Sequence, residues 1–248
     1  MVYIPTALLK KLMVFAALLL PLQTRAQAPD RQLLLADSLF QQKKYIQAFQ
    51  TYQALEKQGA HSAAMLLRMA YIQEGLGHTA ESLLYLNRYW AASADDQVLE
   101  KIQSVAQKKN LSGYDYTTAD RIKLVLAQHR APIAIGGSGI LVLLLALSAY
   151  LTRKKNPARW FALTGVMVFA VGLAYTISVA RVTSAGISRS ATYLMQGPSA
   201  GSSVVARIEA GHRLPLKGEQ DIWIKTEWGG STVYARQTAV QLISSLTD

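Results

Sequence analysis

The stretch IAIGGSGILVLLLALSAYL, residues 133–151, decides how the rest of the chain is read. It holds no Asp, Glu, Lys, Arg or His, and a second run of the same kind, WFALTGVMVFAVGLAYTISVA, follows at 160–180. At about 1.5 Å per helical residue the two reach roughly 28 and 31 Å, close to the hydrocarbon thickness of a bilayer. Two transmembrane helices are therefore expected. The loop between them, residues 152–159, carries Arg153, Lys154, Lys155 and Arg159. So short a loop joins antiparallel spans, and its positive charge places it on the cytoplasmic side. Tyr150 and Trp160 stand where interfacial aromatics are expected. Gly165 and Gly172 lie two turns apart and offer a small face for close helix contact.

Working outward, the net charge of +11 is local. Basic and acidic residues nearly balance from Pro29 to Ala131, and the excess gathers beside apolar runs, at Lys10 and Lys11 and in the 152–159 loop. No basic face is interleaved with aromatics, so nucleic acid is not an expected partner. The chain contains no cysteine, which removes disulfides, thiol nucleophiles and thiolate metal sites. Residues 1–26 have the layout of a signal peptide: Lys10 and Lys11, an apolar run from Leu12 to Leu22, then small residues at Ala26 and Ala28. Whether cleaved after Ala26 or retained as an anchor, this segment implies export of the chain from Asp30 onward.

From 29 to 131 apolar residues recur at helical spacing. Two hairpins are expected, Gln32 to Gln42 with Tyr45 to Lys57 and Ser62 to Glu74 with Thr79 to Tyr89, followed by helices from Asp96 to Lys108 and Thr118 to Arg130. Ser93 or Asp95 is the candidate N-cap of the first of these. The hairpins resemble the tetratricopeptide repeat (TPR) family. Ala36, Tyr45, Ala48 and Tyr52 fall on repeat positions in the first unit, and Leu67, Tyr71, Gly75, Ala80 and Leu84 in the second. The resemblance implies that Ala48 and Ala80 are the small residues where paired helices cross, with Tyr71 and Gly75 as further repeat positions and a groove lined by Tyr71 and its neighbours. Ala48 and Ala80 are 32 residues apart, against the family period of about 34, and the usual proline after the second helix is missing.

After a polar linker at 181–190, alternating residues predict short strands at Thr192 to Met195, Val204 to Ile208, Arg213 to Leu216, Trp223 to Thr226, Thr232 to Ala235 and near Val240. Turns are supplied by 217–221 and 228–231. Five or six such strands favour a small all-β barrel over 191–248. Gly197-Pro198-Ser199, Ala210-Gly211, Trp223-Ile224-Lys225 and Val233-Tyr234-Ala235 resemble the bacterial SH3-like (SH3b) family. Met195 stands where that family often has arginine and Tyr234 where it has tryptophan, so its ligand pocket is not carried over. Trp223 and Tyr234 are the candidate ligand surface, with core and rim packing as the competing role.

No catalytic constellation is found. His61, His78, His129 and His212 are scattered, and there is neither a His-Glu-x-x-His metal motif nor a phosphate-binding glycine loop. Gly137-Ser138-Gly139 lies inside an apolar run, where no base or oxyanion hole is at hand. No cofactor and no enzymatic activity are expected. The order of signal peptide, TPR-like helices, paired spans and SH3-like tail resembles the TPR-SH3 membrane proteins of Bacteroidota aerotolerance (Bat) operons. That resemblance implies an adaptor working with membrane proteins of the von Willebrand A type in envelope stress. The chain is thus expected to be a multi-pass inner-membrane scaffold, its soluble domains in the periplasm. The alternative is a cell-wall sensor or targeting protein whose SH3-like part binds peptidoglycan.

Overall fold

A computed structural model describes residues 31–154, 158–179 and 185–243. The expected signal segment and Lys155 lie outside the described residues. The helices are α1 (Arg31–Gln41), α2 (Tyr45–Lys57), α3 (Ala63–Gly75), α4 (Thr79–Ser93), α5 (Asp96–Lys108), α6 (Thr118–Gln128), α7 (Arg130–Arg153) and α8 (Arg159–Val179). The strands are β1 (Ala185–Ser188), β2 (Thr192–Met195), β3 (Val204–Ile208), β4 (Arg213–Gln220), β5 (Trp223–Trp228), β6 (Ser231–Arg236) and β7 (Val240–Leu242).

Side-chain caps set several helix starts by satisfying backbone N–H groups that have no partner in the first turn. The Ser62 hydroxyl accepts from Met65 N at 3.2 Å, and Asp95, not Ser93, caps α5 by accepting from Gln97 N at 3.0 Å. Thr117 and Asp120 form a reciprocal capping box at α6. Helices α1 to α4 pack as two consecutive hairpins. Their core is Ala36, Ala48, Tyr52, Leu55, Leu66, Met69, Leu83 and Leu84, all buried.

Helices α7 and α8 pack on each other. Leu173, near the end of α8, sits against Gly137, near the start of α7, so the two run antiparallel. Among the described residues one helix, α7, is long and apolar enough to cross a membrane; the apolar part of α8, Trp160–Thr176, is shorter. The expected close contact at Gly165 and Gly172 is not made: a methyl group at either would meet nothing within 4 Å. Gly137 takes that role, because it is the glycine that faces the partner helix.

The strands form one antiparallel sheet of order β3-β2-β6-β5-β4-β1-β7. Among the described residues the ladder runs from β3 to β7 as an open sheet. Leu194, Ile208, Leu214, Ile224, Val233, Ala235 and Val240 make its core. Two segments depart from the expected pattern. β4 continues past Leu216 through a register shift before Gly218, and the turn to β5 falls at Asp221, whose φ is 55°. Within the stretch expected as a polar linker, Ala185–Ser188 is a strand buried at every residue. Gly186 is packed so closely on the Val240 side chain that no larger residue fits without a shift. That strand is built by tertiary packing, not by local alternation.

Candidate functional site

The helical and β parts meet along a seam that begins where α5 ends. There Leu111 to Tyr116 lie beside Gly211 to Arg213. Arg213 N donates to Ser112 O at 3.0 Å, Ser112 N donates to His212 Nδ1 at 3.0 Å, and the Tyr114 hydroxyl donates to Gly211 O at 2.6 Å. Arg213 Nη1 donates to Gly113 O at 3.1 Å while its guanidinium lies 4.8 Å from the Tyr116 ring centre. Gly113 is required here twice over. Its φ of +91° is left-handed, and a Cβ would collide with the Arg213 carbonyl. Ala185, Ile187 and Ile243 of the β part join the core of the helical part.

A buried cation reaches across the same boundary. Arg88 of α4 pairs with Glu56 of α2, both side chains nearly inaccessible, and its Nη2 donates to Leu242 O of β7 at 2.8 Å. A buried charge is tolerable only when paired and hydrogen-bonded, and this one binds three elements together. His212 must keep Nδ1 unprotonated to accept from Ser112. Burial holds its pKa below the ordinary imidazole value, against the weaker pull of Glu209, which raises it.

Of the residues expected at repeat positions, Ala48 and Ala80 are buried. Gly75 is not a packing residue: it ends α3 in the open, and a side chain there would meet nothing within 4 Å. Tyr71 is 56% exposed. Its ring meets Phe40 edge-on at 5.8 Å and Tyr45 at 6.0 Å, while Phe40 and Tyr45 are 5.5 Å apart, so three rings from three helices form one cluster at the surface. Arg68 lies over Phe40 and pairs with Asp37, which also accepts from the Tyr52 hydroxyl at 2.6 Å. Leu34 and Leu67 add exposed apolar surface from α1 and α3. The cluster pairs rigid aromatic rings with a charged flank, a combination suited to holding a protein partner.

On the sheet, Trp223 is buried with the Arg236 guanidinium 5.7 Å from its ring, and Tyr234 is half-buried on the neighbouring strand. Trp223 is thus a core residue, not an open ligand surface. Arg153 and Lys154 are exposed at the end of α7, with Lys154 Nζ over the Tyr150 ring at 5.2 Å; Arg159 opens α8, and its side chain is outside the described residues. Among the described residues no three His, Cys, Asp or Glu side chains are grouped as a metal ion would need. His78 contacts Gln73, His129 the Val125 carbonyl and His212 the seam.

Sequence reasoning reached Tyr71 through its repeat position but missed its partnership with Phe40, and it missed the seam altogether. Ser112 and His212 are 100 residues apart, beyond any local pattern. The chain matches no protein-family model, and no curated protein or solved structure is similar enough to count as a relative.

Proposed function

We propose that this chain is a non-catalytic scaffold of a bacterial inner membrane, in which α7 and α8 cross the bilayer as a hairpin and hold one docked helical and β body on the periplasmic side. The observation that carries this reading is the seam itself. Two segments on either side of α7 and α8 in the chain share a core, the Arg213 to Ser112 main-chain hydrogen bond, the side-chain bonds of Tyr114, His212 and Arg213, and the bond from Arg88 to Leu242 O, so they occupy one compartment. A hairpin with its basic turn in the cytoplasm returns the chain to that same side. The TPR-like and SH3-like resemblances, and the Bat-type domain order, lend the reading its partner class: a membrane protein, with the von Willebrand A type as the first candidate. No bound cofactor enters the mechanism.

The Phe40, Tyr45 and Tyr71 cluster is the proposed contact surface. Aromatic anchors with a charged rim dominate protein interfaces because they bury much area at little entropic cost. Capture of membrane partners by the intact protein from mild detergent tests this. Replacing residues 133–180 by an unrelated two-span hairpin leaves capture intact, since an anchor supplies local concentration and the body supplies contacts. Tyr71→Ala with Phe40→Ala abolishes it while the body stays folded, with a melting temperature lowered by the loss of the Phe40 packing on the core. Retention of capture in that double variant would refute the assigned surface. Sedimentation of the protein with purified cell wall, unaffected by the double variant, would favour a peptidoglycan-binding role instead.

A further inference from the structure

Helix α6 presents two unlike faces. Leu124 is buried in the helical core, whereas Ile122 and Val125, three residues apart and so on one side, are 57% and 47% exposed. The helix is firmly placed. Its capping box closes the N-terminus, Gln128 Nε2 donates to Ala91 O at 3.1 Å, and it packs against both α7 and α8. Only His129 separates it from α7. Pro132 has no N–H to offer the Gln128 carbonyl, so the helical hydrogen-bond ladder is interrupted there, where the long apolar segment begins. Arg121 and Lys123 flank the exposed pair. Asp120 is held by Thr117, which keeps its carboxyl below the usual carboxylate range despite partial burial. Arg121 contacts Asp96 at 3.2 Å, an exposed pair that does not saturate the five guanidinium donors.

We propose that α6 is an interfacial helix: Ile122 and Val125 enter the headgroup–acyl boundary of the bilayer that α7 crosses, and Arg121 and Lys123 meet anionic phospholipid headgroups. The proposal rests on the membrane reading of α7. It adds a second attachment, which fixes the height and tilt of the body above the membrane instead of leaving it on a free tether. An apolar stripe edged by basic residues and continuous with a span fits this occupant better than a second protein, which would not need the basic flanks.

The absence of native cysteine makes the test direct. Full-length protein carrying a nitrobenzoxadiazole label at Ile122→Cys, Glu100→Cys or Leu143→Cys is placed in vesicles of phosphatidylcholine and phosphatidylglycerol containing shallow or deep nitroxide lipids. The expected result is strong quenching of the Leu143 label by deep nitroxides and of the Ile122 label by shallow ones, several-fold above the Glu100 label. Replacing phosphatidylglycerol by phosphatidylcholine, or Arg121→Gln with Lys123→Gln, weakens quenching at Ile122 and leaves Leu143 unchanged. An Ile122 label that behaves like Glu100 while Leu143 is quenched overturns the interfacial helix and leaves the span standing. An unquenched Leu143 label overturns the span reading and the proposal with it. A shielded but unquenched Ile122 label assigns the face to a second protein copy, and insensitivity to headgroup charge refutes the role of Arg121 and Lys123.

Discussion

Apolar residues are abundant in α1–α5 and again in α7 and α8, yet they meet opposite surroundings. In the first region Leu66, Leu83 and Ile102 are wholly enclosed; in the second Phe161, Val168 and Leu143 are 82%, 72% and 70% exposed. The difference lies in how much of each helix its neighbours cover. In the body α4 is buried on every side from Ser82 to Arg88 by α3, α5 and β1, while α7 and α8 are apolar nearly all round and have chiefly each other to pack against. The same kinds of side chain that close the core of the body are left uncovered on α7 and α8, and under the proposed reading lipid covers them.

That contrast can be broken most forcefully through charge. The body tolerates a buried cation because Arg88 is paired with Glu56 and bonded to Leu242. Arg88→Ala leaves the Glu56 carboxylate enclosed without its partner and is expected to cost about 3 to 5 kcal/mol, read as a lowered denaturation midpoint of the helical and β body in the intact protein. In α7 the corresponding experiment is Leu143→Asp. Against lipid it costs roughly 2.5 to 3.5 kcal/mol and moves the protein out of the membrane fraction. Against water the same change would be neutral and would raise solubility, so the fraction in which the protein is found tells the two surroundings apart.

Smaller perturbations sharpen the contrast within the body. Ala48→Leu overfills the closed core around Ala48 on α2 and is expected to cost roughly 1 to 3 kcal/mol, with Ala80→Leu behaving alike in thermal melts. Gly165→Leu, on a face that meets nothing, leaves the melt unchanged. The smallest effect is the acid sensitivity of the seam. Undocked His212 takes up a proton near the ordinary value of about 6.5, whereas docked His212 resists it. Its contribution is complete above that pH and is lost as the pH falls toward the depressed pKa. Melting temperature measured across this window should fall with acid in the native protein and fall less in His212→Ala.

These contrasts also mark what was legible in the residues. The helices of the body announced themselves because Ala48, Tyr52, Leu83 and Leu84 obey a local period, and α7 because an uncharged run of that length has few other fates. β1 was hidden. Ala185, Gly186, Ile187 and Ser188 carry no strand pattern and are held by pairing to β4 and β7, both far along the chain. Gly75 was misplaced because a repeat position was transferred onto a helix end that faces open space. The seam escaped for a similar reason: Gly113, Tyr114 and His212 look like ordinary loop residues until the fold brings them together. The aromatic cluster was half legible, with Tyr71 and Tyr45 on repeat positions and Phe40 contributed by a helix end.

If one docked body stands on one side of a membrane hairpin, both of its halves are reachable from outside and the turn of the hairpin is not. Single cysteines at Lys57, Ser203 and Lys154, all exposed positions, are offered an impermeant thiol reagent in intact spheroplasts and again after permeabilisation. Lys57→Cys and Ser203→Cys are expected to react in intact spheroplasts, and Lys154→Cys only once the membrane is opened. Reaction at only one of Lys57 and Ser203, or reaction of Lys154 together with both, would contradict that arrangement.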